Sequence, residues 1–103
     1  MIEVLDNKQR MRYEIVADGN VAGFAQYNMR GGRLIFVHTE IDDAYSGRGL
    51  ATELVTSALD DVRARGLCIV PICPFVERFI ERHHEYDALV DHEMFDALNK
   101  EPT

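Results

Sequence analysis

"RLIFVHTEIDDAYSGRGLATELV", residues 33–55, holds a strand, a glycine turn and the head of a helix in one run. Its first nine residues are apolar on both faces at their start, as in a central strand covered on two sides. From Leu50 the period changes. Ala51, Leu54, Val55, Ala58, Leu59 and Val62 fall on one helical stripe. Gly66 follows where a C-terminal glycine would end that helix. Between the two periods lies "AYSGRGLAT", residues 44–52.

Upstream, "MRYEIVA" at 11–17 alternates as a strand, with Met11, Tyr13 and Ile15 on one face. "DGN" at 18–20 is a hairpin signal. A second strand spans roughly 21–29, and "GG" at 31–32 marks the next turn. The first 41 residues thus predict a three-stranded antiparallel meander. Downstream, "LCIVPIC" at 67–73 predicts a short buried strand. A helix starts at Pro74, with Phe75, Val76, Phe79 and Ile80 inward, and "DHEMFDAL" at 91–98 predicts a short closing helix. The expected fold class is α+β: an antiparallel meander, then β-α-β-α, with helices packed on a mixed sheet.

The 103 residues suit one domain over 1–103. A chain of this length buries roughly two-thirds of its unfolded surface. No apolar run reaches about 18 residues, so no membrane span is expected. The N-terminus lacks the basic and apolar regions of a signal peptide. A net charge of −7 argues against nucleic-acid binding. Cys68 and Cys73 form neither a CxxC motif nor a zinc ligand set, and reduced cytoplasmic thiols are the expectation.

Gly47 and Gly49 can take backbone angles closed to other residues and let a ligand approach the main chain. The helix that follows leaves its first N–H groups unpaired, and with its dipole and Arg48 it suits an anion such as a pyrophosphate. The spacing is neither that of a P-loop nor a full dinucleotide fingerprint. "GRG" alone would be an ordinary turn. Between a central strand and a long amphipathic helix, the phosphate reading is the better one.

Cys73 stands between a strand and Pro74, a residue favoured at the first helical position. That makes Cys73 the N-cap, where a helix terminus lowers a thiol pKa from about 8.5. The strand's C-terminal end is also where open sheets build their sites. A small buried hydrophobe fits the same position, and the residues alone leave both readings open. Cys68 reads as core. His38 and Glu40 share one face of the third strand and Thr39 points to the other. His38 is a candidate base and Glu40 a candidate amine holder, against the plainer reading of one packed and one solvated side chain. His83 and His84 end the second helix and read as structural. HxE without a third ligand is a poor metal site, so no metal is expected.

"YSGRGLATELV" resembles motif A of the Gcn5-related N-acetyltransferases, whose pattern is Arg/Gln-x-x-Gly-x-Gly/Ala. The match is more specific to a small YjdJ-like subgroup with "HTE" before the loop, "PxCPF" after the next strand and then "RHPEY". Here these are His38-Thr39-Glu40, Pro71 to Phe75, and Arg82 to Tyr86. The resemblance covers roughly residues 10–91. Ser46 stands near the usual Arg/Gln position, which would leave that contact to Arg48 or lose it. His84 replaces a proline.

The resemblance implies a single domain that binds acetyl-CoA as co-substrate and acetylates an amine, either a small molecule or a protein lysine. It also implies that the N-terminal helices of larger members are lacking. Ser46, Gly47, Arg48, Gly49, Leu50, Ala51 and Thr52 would hold the pyrophosphate. Val37, Thr39, Glu40 and Ile41 would pair with the pantetheine arm, with an amide near Thr39 or Glu40 polarising the thioester carbonyl. Cys73, with Pro74 and Phe75, would lie beside the acetyl group. There the cysteine would carry the acetyl group or line the pocket, with His38 as a possible helper. The alternative is a non-catalytic CoA-binding module acting with a protein partner. An interaction domain without CoA ranks third.

Overall fold

The computed structural model describes residues 1–99. Five strands run in sheet order β1-β2-β3-β4-β5: Ile2–Asn7, Arg12–Ala17, Asn20–Arg30, Arg33–Ile41 and Cys68–Pro71. The first four form an antiparallel meander, and β5 pairs with β4 in parallel. The parallel pairing needs a crossover. Helix α1, Leu50–Ala64, supplies it. Helix α2, Pro74–Arg82, follows β5, and α3, His92–Asn99, closes the described chain. The mixed sheet with packed helices is the α+β architecture expected.

Two details differ from the sequence reading. The meander has four strands, because β1 pairs with β2 along its whole length. Met11 is not in a strand; it takes a positive φ of 55° in the turn before β2.

Period-two alternation sorts the sheet into two faces. Tyr13, Ile15, Ala25, Tyr27, Leu34 and Phe36 pack beneath Leu54, Val55, Ala58, Leu59 and Val62 of α1. Val76, Phe79 and Ile80 of α2 join the same core, as the helical spacing required. A polar network ties α1 to the meander's far edge. The Tyr13 hydroxyl donates to Asp61, the Tyr27 hydroxyl donates to Asp6, and Arg65 bridges Asp6 and Asp61. Gly66, at φ 69°, turns the chain out of α1.

Cys68 is a correction. It is exposed, not core. It opens an edge strand, and the core side of β5 is filled by Ile69, which points the other way. α3 lies along β5, anchored by the Asp91 amide donating to the Ile69 carbonyl. The Asp91 carboxylate accepts from the Met94 amide, capping α3, and pairs with Arg33. No helix among the described residues is long and apolar enough to cross a membrane.

Candidate functional site

The site begins with a fault in the sheet. Gln26 lies opposite His38, yet the next residue, Tyr27, lies opposite Phe36. Two residues of β3 therefore span three of β4, and Val37 is left over as a β-bulge. Such a bulge bends its strand and sharpens its twist. Beyond it, β4 loses its other neighbour. The β4–β5 pairing stops at Phe36 and Pro71, closed by the Cys73 amide donating to the Phe36 carbonyl over 2.7 Å. Residues 37–41 keep β3 on one side and have no backbone hydrogen bond to β5 or α2 on the other.

Alternation then decides which groups face the opening. The Asp42 amide donates to the Ala22 carbonyl of β3. His38 and Glu40, in step with Asp42, turn their main-chain groups the same way. Thr39 and Ile41 turn theirs to the side β5 has left. A free strand edge of this kind accepts an extended ligand by main-chain pairing.

The glycine turn stands at the end of the same strand. A short 3-10 turn, Asp43–Tyr45, leads into it, with the Asp42 carboxylate accepting from the Ala44 amide. Gly47 has φ 80° and Gly49, the N-cap of α1, has φ 72°. A side chain at either position would be strained in that region. The first intrahelical bond runs from the Glu53 amide to the Gly49 carbonyl. Among the described residues, the amides from Gly47 to Thr52 donate to no protein acceptor. They form a cluster of donors at the positive end of a 15-residue helix. The exposed Ser46 hydroxyl donates to the Asp43 carbonyl within the turn. Arg48 lies over the Tyr45 ring and 3.8 Å from the Asp18 carboxylate, half exposed.

Cys73 caps α2 by backbone position, and its carbonyl accepts from the Glu77 amide. Only 3% of it is exposed. Its thiol donates to the Thr39 hydroxyl at 3.4 Å, so the strand that loses β5 and the residue that ends β5 meet through these side chains. Pro74, first in α2, is exposed, and Phe75 is half-buried beside Thr52.

His38 and Glu40 are not brought to Cys73. They lie on the face of β4 opposite Thr39, and His38 Nε2 is 3.1 Å from Glu40 Oε1. The reading that His38 assists the thiol fails on this alternation. Their surroundings include residues that spacing could not reveal. The Phe24 ring lies 5.9 Å from His38, and the Arg12 guanidinium sits 4.5 Å above Phe24 while holding Glu14. An open cleft of about 470 Å³ runs past Arg12, Phe24, Glu40, Asp42 and Asp43. Strand register, not sequence distance, brings these together.

A mixed sheet whose fourth and fifth strands part beyond a bulge, with an unpaired glycine-turn helix head at the end of the fourth, defines an acyl-CoA transferase type of fold. The chain belongs to the GCN5-related N-acetyltransferases: the model of that family, described as GCN5-related N-acetyl-transferase, matches residues 12–89. Protein NATD1 of Mus musculus is 30% identical over 84 residues, covering 80% of this chain and 76% of that protein. The Homo sapiens protein of that name is 29% identical over the same length, covering 80% and 74%. Among solved structures, a GCN5-like putative N-acetyltransferase from Staphylococcus aureus superposes with a TM-score of 0.65 at 19% identity, covering 85% of this chain and 86% of that one. The ribosomal-protein-S18-alanine N-acetyltransferase of Escherichia coli reaches 0.55 at 16% identity, covering 67% and 63%. At these identities the two structures speak to the fold. Members of the family use acetyl-CoA as co-substrate and an amine as acceptor.

Proposed function

We propose that this chain transfers an acetyl group from acetyl-CoA to an amine, and that it does so in the opening between β4 and β5. The observation that carries the reading is the adjacency of two sets of main-chain groups that have no partner among the described residues, on Thr39 and Ile41 and on Gly47 to Thr52. The first suits the amides and carbonyls of a pantetheine arm, and the second suits a pyrophosphate. The Thr39 amide is then the donor best aimed at the thioester carbonyl, where negative charge grows in the transition state. Glu40, whose main-chain groups follow β3, is not.

The acceptor approaches from the sheet face that α1 and α2 leave open. An amine arrives protonated and must lose that proton before attack. His38 and Glu40, exposed and hydrogen-bonded to each other, stand on that face to take it. The carboxylates of Glu40, Asp42 and Asp43 favour a cationic acceptor, either a small amine or a protein lysine. The amine nitrogen bonds to the acetyl carbon, the carbon–sulfur bond breaks, and CoA leaves as its thiol.

Cys73 lines this site in our reading. Among the described residues its one side-chain hydrogen bond is to Thr39, and the candidate base lies across the strand. A second reading makes it the acetyl carrier, as in the cysteine-bearing subgroup whose motifs the sequence resembles. It is favoured by the N-cap position and the contact with Thr39. In that route the sulfur takes the acetyl group from CoA and passes it to the amine.

One experiment tests both. Purified protein is incubated with acetyl-CoA and a panel of diamines and lysine peptides, with release of CoA followed and the intact protein weighed. Turnover with no protein adduct, retained in Cys73→Ala, supports direct transfer. An acetyl adduct lost in Cys73→Ala, along with turnover, establishes the carrier. Acetyl-CoA binding without turnover on any amine would overturn the enzyme reading in favour of a binding module.

A further inference from the structure

Arg12 is placed by more than its own strand. It stands opposite Gln26 in the ladder, yet its guanidinium lies 4.5 Å above the ring of Phe24, two residues away. Glu14 draws it there. Glu14 stands directly opposite Phe24 and accepts from Arg12 Nε over 2.7 Å. Among the described residues Glu14 is the one charged side chain that is buried. Asn7, at the end of β1, donates to the same carboxylate oxygen. A buried ion pair is weak evidence for stability, because apolar residues in its place are often as stable. What this pair supplies is a guanidinium held in one orientation. Among the described residues its two Nη groups donate to no protein acceptor, and neither is buried. Arg12 forms one wall of the cleft of about 470 Å³, and Glu40, Asp42 and Asp43 form the other.

We propose that Arg12 sets the choice of acceptor: its Nη groups receive a carboxylate of the acceptor, whose amine lies at the Glu40 side, so that the acceptor is an ω-amino carboxylic acid. The proposal rests on the acetyl-transfer reading above and narrows its acceptor. The cleft has opposite charge on its two walls, as a zwitterion requires. Because Glu14 already faces Arg12, the pair is close to neutral. What Arg12 offers is therefore a fixed fork of N–H donors, which a carboxylate matches with two parallel bonds. A phosphate monoester, with close to two negative charges, is a poorer guest opposite three carboxylates. The separation of the walls fixes where the two charges sit on the ligand. Arg12 belongs to β2 and Glu40 to β4, with Phe24 of β3 between them. Two ladder steps are about 10 Å. An amine and a carboxylate on one carbon cannot reach both walls, whereas a short carbon chain between them can. The amine then stands beside His38 and Glu40, which are bonded to each other on that face.

Acetyl transfer by the full chain to 5-aminopentanoate, pentylamine and 1,5-diaminopentane tests this, because the three differ only at the end remote from the reacting amine. The wild type is expected to show kcat/KM about tenfold or more higher for 5-aminopentanoate than for pentylamine, the scale of one or two charged hydrogen bonds. The difference should lie mainly in KM, as for a contact made equally in ground and transition states. The diamine should be no better than pentylamine, since its second ammonium meets Arg12. In Arg12→Gln the ratio falls toward one. That change strands the Glu14 carboxylate and endangers the fold, so Arg12→Gln/Glu14→Gln, which removes both charges together, is made beside it and checked by thermal unfolding. There too the ratio falls toward one. Arg30→Gln, outside the cleft, leaves the ratio unchanged, and an equal fall there would assign the preference to general charge and overturn the proposal. Equal rates of the wild type with 5-aminopentanoate and pentylamine, or a preference for the diamine, overturn it while leaving acetyl transfer intact. So does a folded double variant that keeps the wild-type ratio. Absence of transfer to all three amines and to every other amine tried would overturn the acetyl-transfer reading itself, and the proposal with it.

Discussion

Gly23 has an ordinary φ, yet no other residue fits there. A Cβ on it would lie 2.5 Å from the Glu40 carbonyl oxygen, 2.5 Å from Ile41 Cδ1 and 3.1 Å from Ile41 Cα. The Ile41 side chain could swing aside, but the other two atoms are backbone. Restoring an ordinary contact of about 3.5 Å requires the end of β4 to retreat by about 1 Å. Overpacking of this kind costs about 1–3 kcal/mol. The displaced backbone belongs to the strand that carries Thr39, His38 and Glu40. A shift of about 1 Å in a group that positions reactants can lower the rate about 100-fold. Gly23→Ala is therefore expected to lose far more activity than stability. The assay is kcat/KM for acetyl transfer, set beside thermal unfolding. Val62→Ala, which opens a cavity under the last turn of α1, at the opposite end of that helix from the glycine turn, is the control for stability alone. If Gly23→Ala keeps wild-type kcat/KM, or loses no more than the control at matched stability, the reasoning about the end of β4 is wrong.

Further outcomes follow from the packing and the charges. Leu59→Ala removes a fully buried side chain from the middle of the core and should cost about 2–5 kcal/mol, lowering Tm by on the order of 10 °C or more. Gly49→Ala places a side chain at φ 72°, with open space around it, so strain of about 1–2 kcal/mol should appear in Tm. The same change should weaken acetyl-CoA binding in calorimetry, because the new methyl group sits beside the amide donors. Burial first, then the bond to Asp60, pushes the Tyr86 hydroxyl up to about 12, and burial with Asp61 and Asp6 raises Tyr13 and Tyr27 as well. A raised folded-state value stabilises the protein while the group stays protonated. Denaturant midpoints should therefore begin to fall as the pH passes about 10, the unfolded value, and keep falling through 12.

Much of this was legible in the chain. The strand β4, the helix stripe from Leu50 and the proline after Cys73 each announce themselves by a local period or a local rule, and each stands where read. β1 did not announce itself. Ile2 and Leu5 are both exposed, so burial leaves no strong alternation on this edge strand, and only pairing with β2 defines it. Cys68 was misplaced because a strand's apolar run does not say where its cover ends. The candidate site divides in the same way. The glycine turn and Cys73 are local signals. The bulge at Val37 is not, since it exists only as a mismatch between two strands. From it follow the free edge of Thr39 and the separation of His38 from the thiol. The Arg12–Phe24 wall, likewise, is a product of register.

The central claim is that acetyl-CoA occupies the main-chain groups left unpaired at the parting of β4 and β5 and at the head of α1. Amide chemical shifts of uniformly labelled protein, followed while acetyl-CoA is added, test it most directly. The account predicts the largest changes at Thr39, Ile41 and Gly47 to Thr52, with the amides of β1 and of the β1–β2 turn left in place. Saturable binding that leaves Thr39 and the Gly47–Thr52 amides unmoved would contradict it.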